Sequence, residues 1–496
     1  MPCARRLRRP AEGRGHWAAR QVCGPMTAKS TSPPAKSMHM PKRQVIARPI
    51  GAAARMLAVG LLLAVAGLLL AVAGCSGQEQ AARRAGREIE VQIFLGGYGL
   101  DFFQEVARGY ERTHPGVKVT LSGDPRIIDK LRPRLLAENP PDLFWAFLPI
   151  WRLADDGVLH ALDADLATRA YGQEISWGES FLPGPLATTV VAGKRYFVPT
   201  DLSVFLMWYN VGMFRGHGWR PPATWDEFMA LCERIKRAGI APIAFQGRYP
   251  DYALPMLLNL FQRKVGGRPL FDLINLKPGA WLHPDLVASA ATLQEMMEKG
   301  YFQPGCMGMT HTEAQMEFVN SRAAMVPCGT WLKAEMTNTT PRGFEMSSFN
   351  YPGVQGGRGD PSVAGISMGY WCVPAQAANL RGGVDFLKWV TSRENANQFA
   401  RSKDTLFAIR GADRNLAREL APAVAVMRRA RYTWAAMMSN WYPELSKRIV
   451  DGLASLMSGN ISPEEFCQRI EQACDRIRRD SNTPKYQMPV PAEVEG

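Results

Sequence analysis

One pentapeptide has the spacing of a catalytic motif. Gly365-Ile366-Ser367-Met368-Gly369 fits G-x-S-x-G, which exposes a nucleophilic serine at a tight strand-to-helix turn. A hydrolase of that design needs a histidine later in the chain to accept the serine proton. The seven histidines are His16, His39, His114, His160, His217, His283 and His311, and all precede Ser367. Nucleophilic hydrolysis is therefore not expected. Asp155 and Asp156 are adjacent carboxylates, a pattern of solvated turns rather than of an acid and base flanking a glycosidic bond. Gly97-Tyr98-Gly99 lacks the third glycine of a dinucleotide loop, and no G-x-x-x-x-G-K-[ST] is present. No Cys or His spacing suits zinc, so neither a metal nor another cofactor is expected. Arg358-Gly359-Asp360 reads as part of a Gly-rich loop.

A different chemistry is predicted at Cys75. Met56 to Cys75 is an unbroken apolar run, preceded by Arg43, Arg48 and Arg55 and ending in Val72-Ala73-Gly74-Cys75. A basic stretch, an apolar stretch and a small-residue cleavage site make an export signal. The cysteine directly after the small residues resembles the lipobox of bacterial lipoproteins, in which that thiol carries lipid. A transmembrane anchor is the alternative, but a spanning helix has no need of A-G-C at its end. Residues 1–55 read as a basic leader that is disordered or not translated, 56–74 as the signal's apolar region, and 75–87 as a lipid-anchored tether. The rest is expected outside the cytoplasm, on the bacterial cell envelope.

The formal charge of +14 would suggest nucleic acid, yet 12 of the 59 Lys and Arg and one of the 45 Asp and Glu fall in residues 1–74. The remaining 47 bases and 44 acids leave +3, so no nucleic-acid partner is expected. Residues 75–496 exceed what one hydrophobic core usually supports, which predicts two domains. Six cysteines remain there: Cys232, Cys306, Cys328, Cys372, Cys467 and Cys474. Their spacing fixes no disulfide pairing, and buried free thiols account for them equally well.

Pattern and punctuation then give the elements. Glu88 to Phe94 alternates as a strand, Asp101 to His114 is a helix with Phe102, Val106 and Tyr110 on one face, and Val117 to Leu121 is a strand. A helix over about 126–138 and a strand over 142–146 complete a β-α-β-α-β order, which predicts an open, mostly parallel sheet. Ligands bind beyond the carboxyl ends of such strands. Val204 to Asn210 and Ala323 to Pro327 are further strands, and 347–360 is a Gly/Pro-rich crossing segment. Ala364 to Pro374 returns as a strand. Thr224 with Glu227, Thr391 with Glu394, and Ser462-Pro463 with Glu465 read as helix starts. The last two helices are expected over about 431–458 and 462–479.

The segments 102–119 (F-F-Q-E-V-A-R-G-Y-E-R-T-H-P-G-V-K-V), 141–146 (P-D-L-F-W-A), 207–214 (M-W-Y-N-V-G-M-F), 222–228 (P-A-T-W-D-E-F), 318–331 (F-V-N-S-R-A-A-M-V-P-C-G-T-W), 386–392 (F-L-K-W-V-T-S) and 439–442 (S-N-W-Y) carry a resemblance together. In order and spacing the chain resembles the extracellular solute-binding proteins of carbohydrate ABC transporters, the class of maltose-binding protein. The resemblance implies an α/β, two-lobed periplasmic-binding-protein fold, each lobe a sheet flanked by helices, with hinge crossings. Lobe 1 would be 88–200 and 350–405, lobe 2 205–345 and 410–482, and 483–496 a tail. It implies a monomeric binding module, not an enzyme, that passes a small-molecule carbohydrate to ABC permease subunits.

A sugar ring offers an apolar face and a rim of hydroxyls, which aromatic and polar side chains can match. On the resemblance, Trp331, Trp441 and Trp145 are the stacking candidates. Asp201, Tyr249, Asp251, Ser367 and Tyr370 are the polar ones, and Gly97 and Tyr98 bring a glycine turn to the ligand. Trp208 and Trp371 lie inside apolar strands and are expected in the core. Two alternatives stand beside this reading: an envelope glycoside hydrolase, and a binding protein for glycerol-phosphate esters served by Arg248 or Lys333.

Overall fold

The alternation of Glu88-Ile89-Glu90-Val91-Gln92-Ile93 buries Ile89, Val91 and Ile93 and makes β1 (Glu88–Phe94). The helix α1 (Asp101–Thr113) covers it with Phe102, Phe103, Val106 and Tyr110. Next come β2 (Lys118–Asp124), α2 (Ile127–Leu136), β3 (Leu143–Trp145) and α3 (Ile150–Asp155). β1 pairs in parallel with both β2 and β3, as the alternating order demands. The computed structural model describes residues 87–95, 98–145 and 150–495. Cys75, the apolar leader and Gly97 lie outside these described residues.

β4 (Phe197–Val204) and β5 (Leu206–Asn210) are separated by Phe205 alone, yet they belong to different sheets. α4 (Trp225–Arg237) starts on Thr224, whose hydroxyl accepts the Glu227 N–H at 3.2 Å. The Glu227 carboxylate takes the N–H of Ala223 rather than that of Thr224. After β6 (Ala241–Ile243), a 3-10 turn over Pro250–Ala253 leads into α5 at Leu254–Val265. β7 (Ala323–Cys328), α6 (Leu332–Met336), β8 (Met346–Phe349) and β9 (Ala364–Cys372) follow. α7 (Arg393–Ser402) is capped by Ser392, one residue later than expected. The Thr391 hydroxyl is spent on the Leu387 carbonyl of the preceding helix.

β10 is Leu406–Phe407, and the segment expected as one helix over 431–458 is three elements: β11 (Thr433–Trp434), α8 (Met437–Trp441) and α9 (Pro443–Met457). The break has a local cause. Pro443 disfavours a helical conformation at the residue before it, and Tyr442 sits at φ −128°, ψ 91°. α10 (Pro463–Arg479) closes the fold with Ser462 as its cap.

Among the described residues the first sheet runs β10-β4-β9-β3-β1-β2, with β11 pairing the start of β9. The second runs β8-β5-β7-β6. The first sheet is mixed rather than mostly parallel. β4 leaves for the second sheet and β9 returns from it, so they lie antiparallel side by side. The chain thus forms a two-lobed α/β fold. Trp208 and Trp371 are buried in it, and the six described cysteines are buried and free.

The crossings are held by specific bonds. The Phe205 N–H donates to the Gly365 carbonyl at 3.0 Å, so outgoing and returning strands are tied where they change sheets. The return segment 351–363 is pinned by Arg263, which is fully buried on α5. Its guanidinium donates to the carbonyls of Val363 (2.8 Å), Asp360 (2.9 Å), Pro361 (3.2 Å) and Tyr351 (3.3 Å). Burial pulls its pKa down to about 10, so it remains charged at neutral pH.

Candidate interlobe binding cleft

A cleft of about 900 Å³ opens where the two sheets meet. Its first wall comes from the carboxyl end of β3 and the paired strands β4 and β9, and its second from the loop after β7 with α6. The segment 434–450 supplies a further side.

The first wall is built around a bulge. Met368 opposes Leu202 and Tyr370 opposes Pro199, so Thr200 and Asp201 together face only Gly369. A bulge re-aims a side chain, and Asp201 lines the cleft. Its carboxylate accepts from the Thr200 hydroxyl at 3.2 Å, from the Gly369 N–H and from the Trp145 indole N–H. Burial is the largest influence on this acid and pushes its pKa up to about 6, with the hydrogen bonds opposing it. Gly369 has no substitute here. A Cβ would stand 2.2 Å from Asp201 Oδ1 and 2.3 Å from Trp145 Nε1. Tyr98 closes one end, its hydroxyl 3.3 Å from Thr405 Oγ1; burial, then the Asp201 charge, raise its pKa.

The second wall is Trp331. Its ring folds back over Gly329, where a Cβ would meet ring carbons at 2.0 to 2.4 Å. The glycine in Gly329-Thr330-Trp331 is thus what lets the indole lie at the end of β7. Phe205 meets it edge-on at 5.6 Å and Tyr252 at 6.1 Å, and the ring stays partly exposed.

Seven of the residues expected from sequence line this cleft: Tyr98, Trp145, Asp201, Asp251, Trp331, Ser367 and Tyr370. Tyr370 does so with its hydroxyl already paired to Thr188 Oγ1 at 2.8 Å, so it serves as wall. Gly97 lies outside the described residues. Trp441 and Tyr249 are corrections to the expected lining. Trp441 is as buried as Trp145, each 6% exposed, but unlike Trp145 it does not line the cleft, and it packs against Tyr442 and Tyr486 at 6.3 and 6.0 Å between ring centres. It faces inward from α8, and its neighbours Ser439 and Asn440 line the cleft instead. Tyr249 is 44% exposed outside the cleft, edge-on to His311, which does line it. Neither Arg248 nor Lys333 lines the cleft, and Lys333 pairs with Asp404 at 3.0 Å.

Sequence reasoning missed Trp434, Tyr252, Glu335 and Ser203 as lining residues. Trp434 packs over Gly365, where a Cβ would lie 2.8 Å from its ring. The β-forming pair Thr433-Trp434 was the available signal, hidden by the assumed helix. Ser367 lies in the middle of β9, not at a strand-to-helix turn, so the G-x-S-x-G spacing builds no nucleophile elbow. Asp155 and Asp156 are exposed, and Asp155 accepts from Tyr486 at 2.6 Å. Among the described residues no group of His, Cys, Asp or Glu could hold a metal ion.

Residues 96–397 match the family described as bacterial extracellular solute-binding protein. The chain belongs to that family. This solute-binding protein is 24% identical over 431 residues to the diacetylchitobiose binding protein NgcE of Streptomyces coelicolor, covering 82% of this chain and 88% of that one. It is 22% identical to the multiple sugar-binding protein of Streptococcus mutans, over 67% of this chain and 78% of that one. A solved chitin oligosaccharide binding protein superposes with a TM-score of 0.66 at 22% identity, covering 78% of this chain and 98% of the other. RafE in complex with raffinose does so with a TM-score of 0.60 at 18% identity, over 78% and 99%. The structural likeness is one of fold. Family membership makes the chain a binding protein and not an enzyme, in keeping with a Ser367 that has no catalytic geometry. Among the described residues no helix is long and apolar enough to cross a membrane.

Proposed function

We propose that this solute-binding protein captures a sugar or oligosaccharide in the interlobe cleft and delivers it to the permease of an ABC importer. One observation carries the proposal: indoles from both walls, Trp145 and Trp331, line a cleft that also presents Asp201, Ser203, Ser367 and Asn440. Flat rings match the apolar face of a pyranose, and polar groups match its hydroxyl rim. A volume of about 900 Å³ lies at the upper end for small-molecule sites, which favours more than one sugar unit. The sugar-binding relatives support the same class of ligand.

The ligand contacts we assign are Tyr98, Trp145, Asp201, Asp251, Trp331 and Ser367. The lobes are assigned around the two sheets, with hinges at Phe205 and in 350–363. Closure about those crossings would bring the two indole walls onto the ligand. The protein acts as a monomer held to the membrane by lipid on Cys75. Calorimetric titration against a mono- and oligosaccharide panel, with an assay for new reducing ends, tests the main claim. Saturable binding without cleavage is expected, and no binding across the panel refutes it. Cys75→Ala should release the protein from membranes and abolish labelling by a fatty-acid probe.

A further inference from the structure

Besides its tyrosines, five ionisable side chains line the cleft: Asp201, Asp251, Glu335, Arg132 and His311. The three carboxylates have no ion-pair partner among the described residues. Among the described residues the partners of Asp201 are neutral donors: its own backbone N–H, the Thr200 hydroxyl, the Gly369 N–H and the Trp145 indole. Glu335 accepts from the Gln315 amide at 2.7 Å. The neighbouring positions outside the described residues, 96–97 and 146–149, are Gly, Gly, Ala, Phe, Leu and Pro, and bring no charge. Lys333, two residues from the Trp331 ring, is spent on Asp404.

The three acids act on the same space. The Tyr98 hydroxyl feels the charges of both Asp201 and Glu335, and the Tyr252 hydroxyl feels those of Glu335 and Asp251. Arg132, exposed on α2, also lines the cleft and offsets one of the three charges. The cleft thus presents an excess of negative charge, three carboxylates against Arg132, with Asp201 the least exposed of the three. An anionic ligand would add like charge to this field, and an ammonium would neutralise part of it.

We propose that the cleft selects glycans by charge, taking units that carry a protonated amine ahead of neutral ones and rejecting uronates and phosphate esters. This rests on the reading that the cleft binds a glycan. The cavity and its indoles define the site, and the carboxylates decide the charge of what fits it.

The test is titration of the purified mature protein with three β-1,4-linked disaccharides of matched shape, built from glucosamine, glucose and glucuronate units. The amine form should bind about tenfold tighter than the neutral form, and the uronate about tenfold weaker or less. Both gaps should shrink in Glu335→Gln and in high salt, with melting curves confirming that the variant is folded. A uronate that binds as well as the neutral sugar overturns the inference, as does an amine form that binds no tighter. Binding of none of the three also overturns it, and the wider oligosaccharide panel then decides the sugar reading separately.

Discussion

Gly329→Ala is a one-carbon test of the second wall. The new methyl carbon would stand 2.0 Å from the Trp331 ring, where ordinary contact begins at 3.4 Å, so the ring must move by about 1.4 Å or swing away. Gly329 has no positive φ, so alanine is unstrained there in its own backbone. The damage falls on the position of the indole. If one indole face covers about 60 Å² of sugar, losing that contact costs about 1.5 kcal/mol at 25 cal/mol per Å². A ring-specific contribution of about 0.5 to 1.5 kcal/mol adds to it. The sum, about 2 to 3 kcal/mol, is a loss of about thirtyfold or more in affinity. The assay is calorimetric titration of the best saccharide against wild type, Gly329→Ala, Trp331→Ala and the double variant. Both single variants should lose affinity, and the double variant should lose little more than either, since both remove the same contact. If Gly329→Ala keeps its Kd within about twofold while Trp331→Ala does not, the glycine does not set the ring. If neither changes, Trp331 does not face the ligand.

Asp201 should make stability depend on pH. Its folded-state pKa of about 6 exceeds its ordinary value, so the folded protein holds this proton more tightly than the unfolded chain. Its contribution is present at the acid end and lost as pH rises from about 4 through 6, so the Asp201→Asn variant should gain on wild type in melting temperature across that window. A difference that is constant with pH would refute the assignment. Arg263→Met should cost about 3 to 5 kcal/mol in urea denaturation, because it strands the carbonyls of 351–363 in the interior. An effect below about 1 kcal/mol would show that those carbonyls find other donors. Trp441→Ala should lower stability by about 3 kcal/mol and leave Kd within about twofold, as a core residue does. Lost affinity in a fully stable variant would return Trp441 to the site.

Much of the architecture could be read along the chain because its causes are local. The alternation of Glu88 to Phe94, the caps at Thr224 and Ser462, and the strand Ala323–Cys328 each follow from near neighbours. Errors came where the deciding contact was distant or the punctuation ambiguous. Thr433-Trp434 is too short to show a period, and it is a strand because β9 offers it an edge. Trp441 looked like a platform from its neighbours, but Tyr486 covers it from 45 residues away.

Residue types and their order alone determined the β-α-β-α-β start of the first sheet, the cap of the last long helix and the absence of a Ser-then-His hydrolase order, since periodicity, cap spacing and histidine order are linear properties. Which side chains meet across the cleft was decided only by the folded chain. The bulge opposite Gly369 brings Trp145, from β3, onto Asp201 of β4. That meeting depends on strand register across β9, and register is set by pairing between segments more than a hundred residues apart.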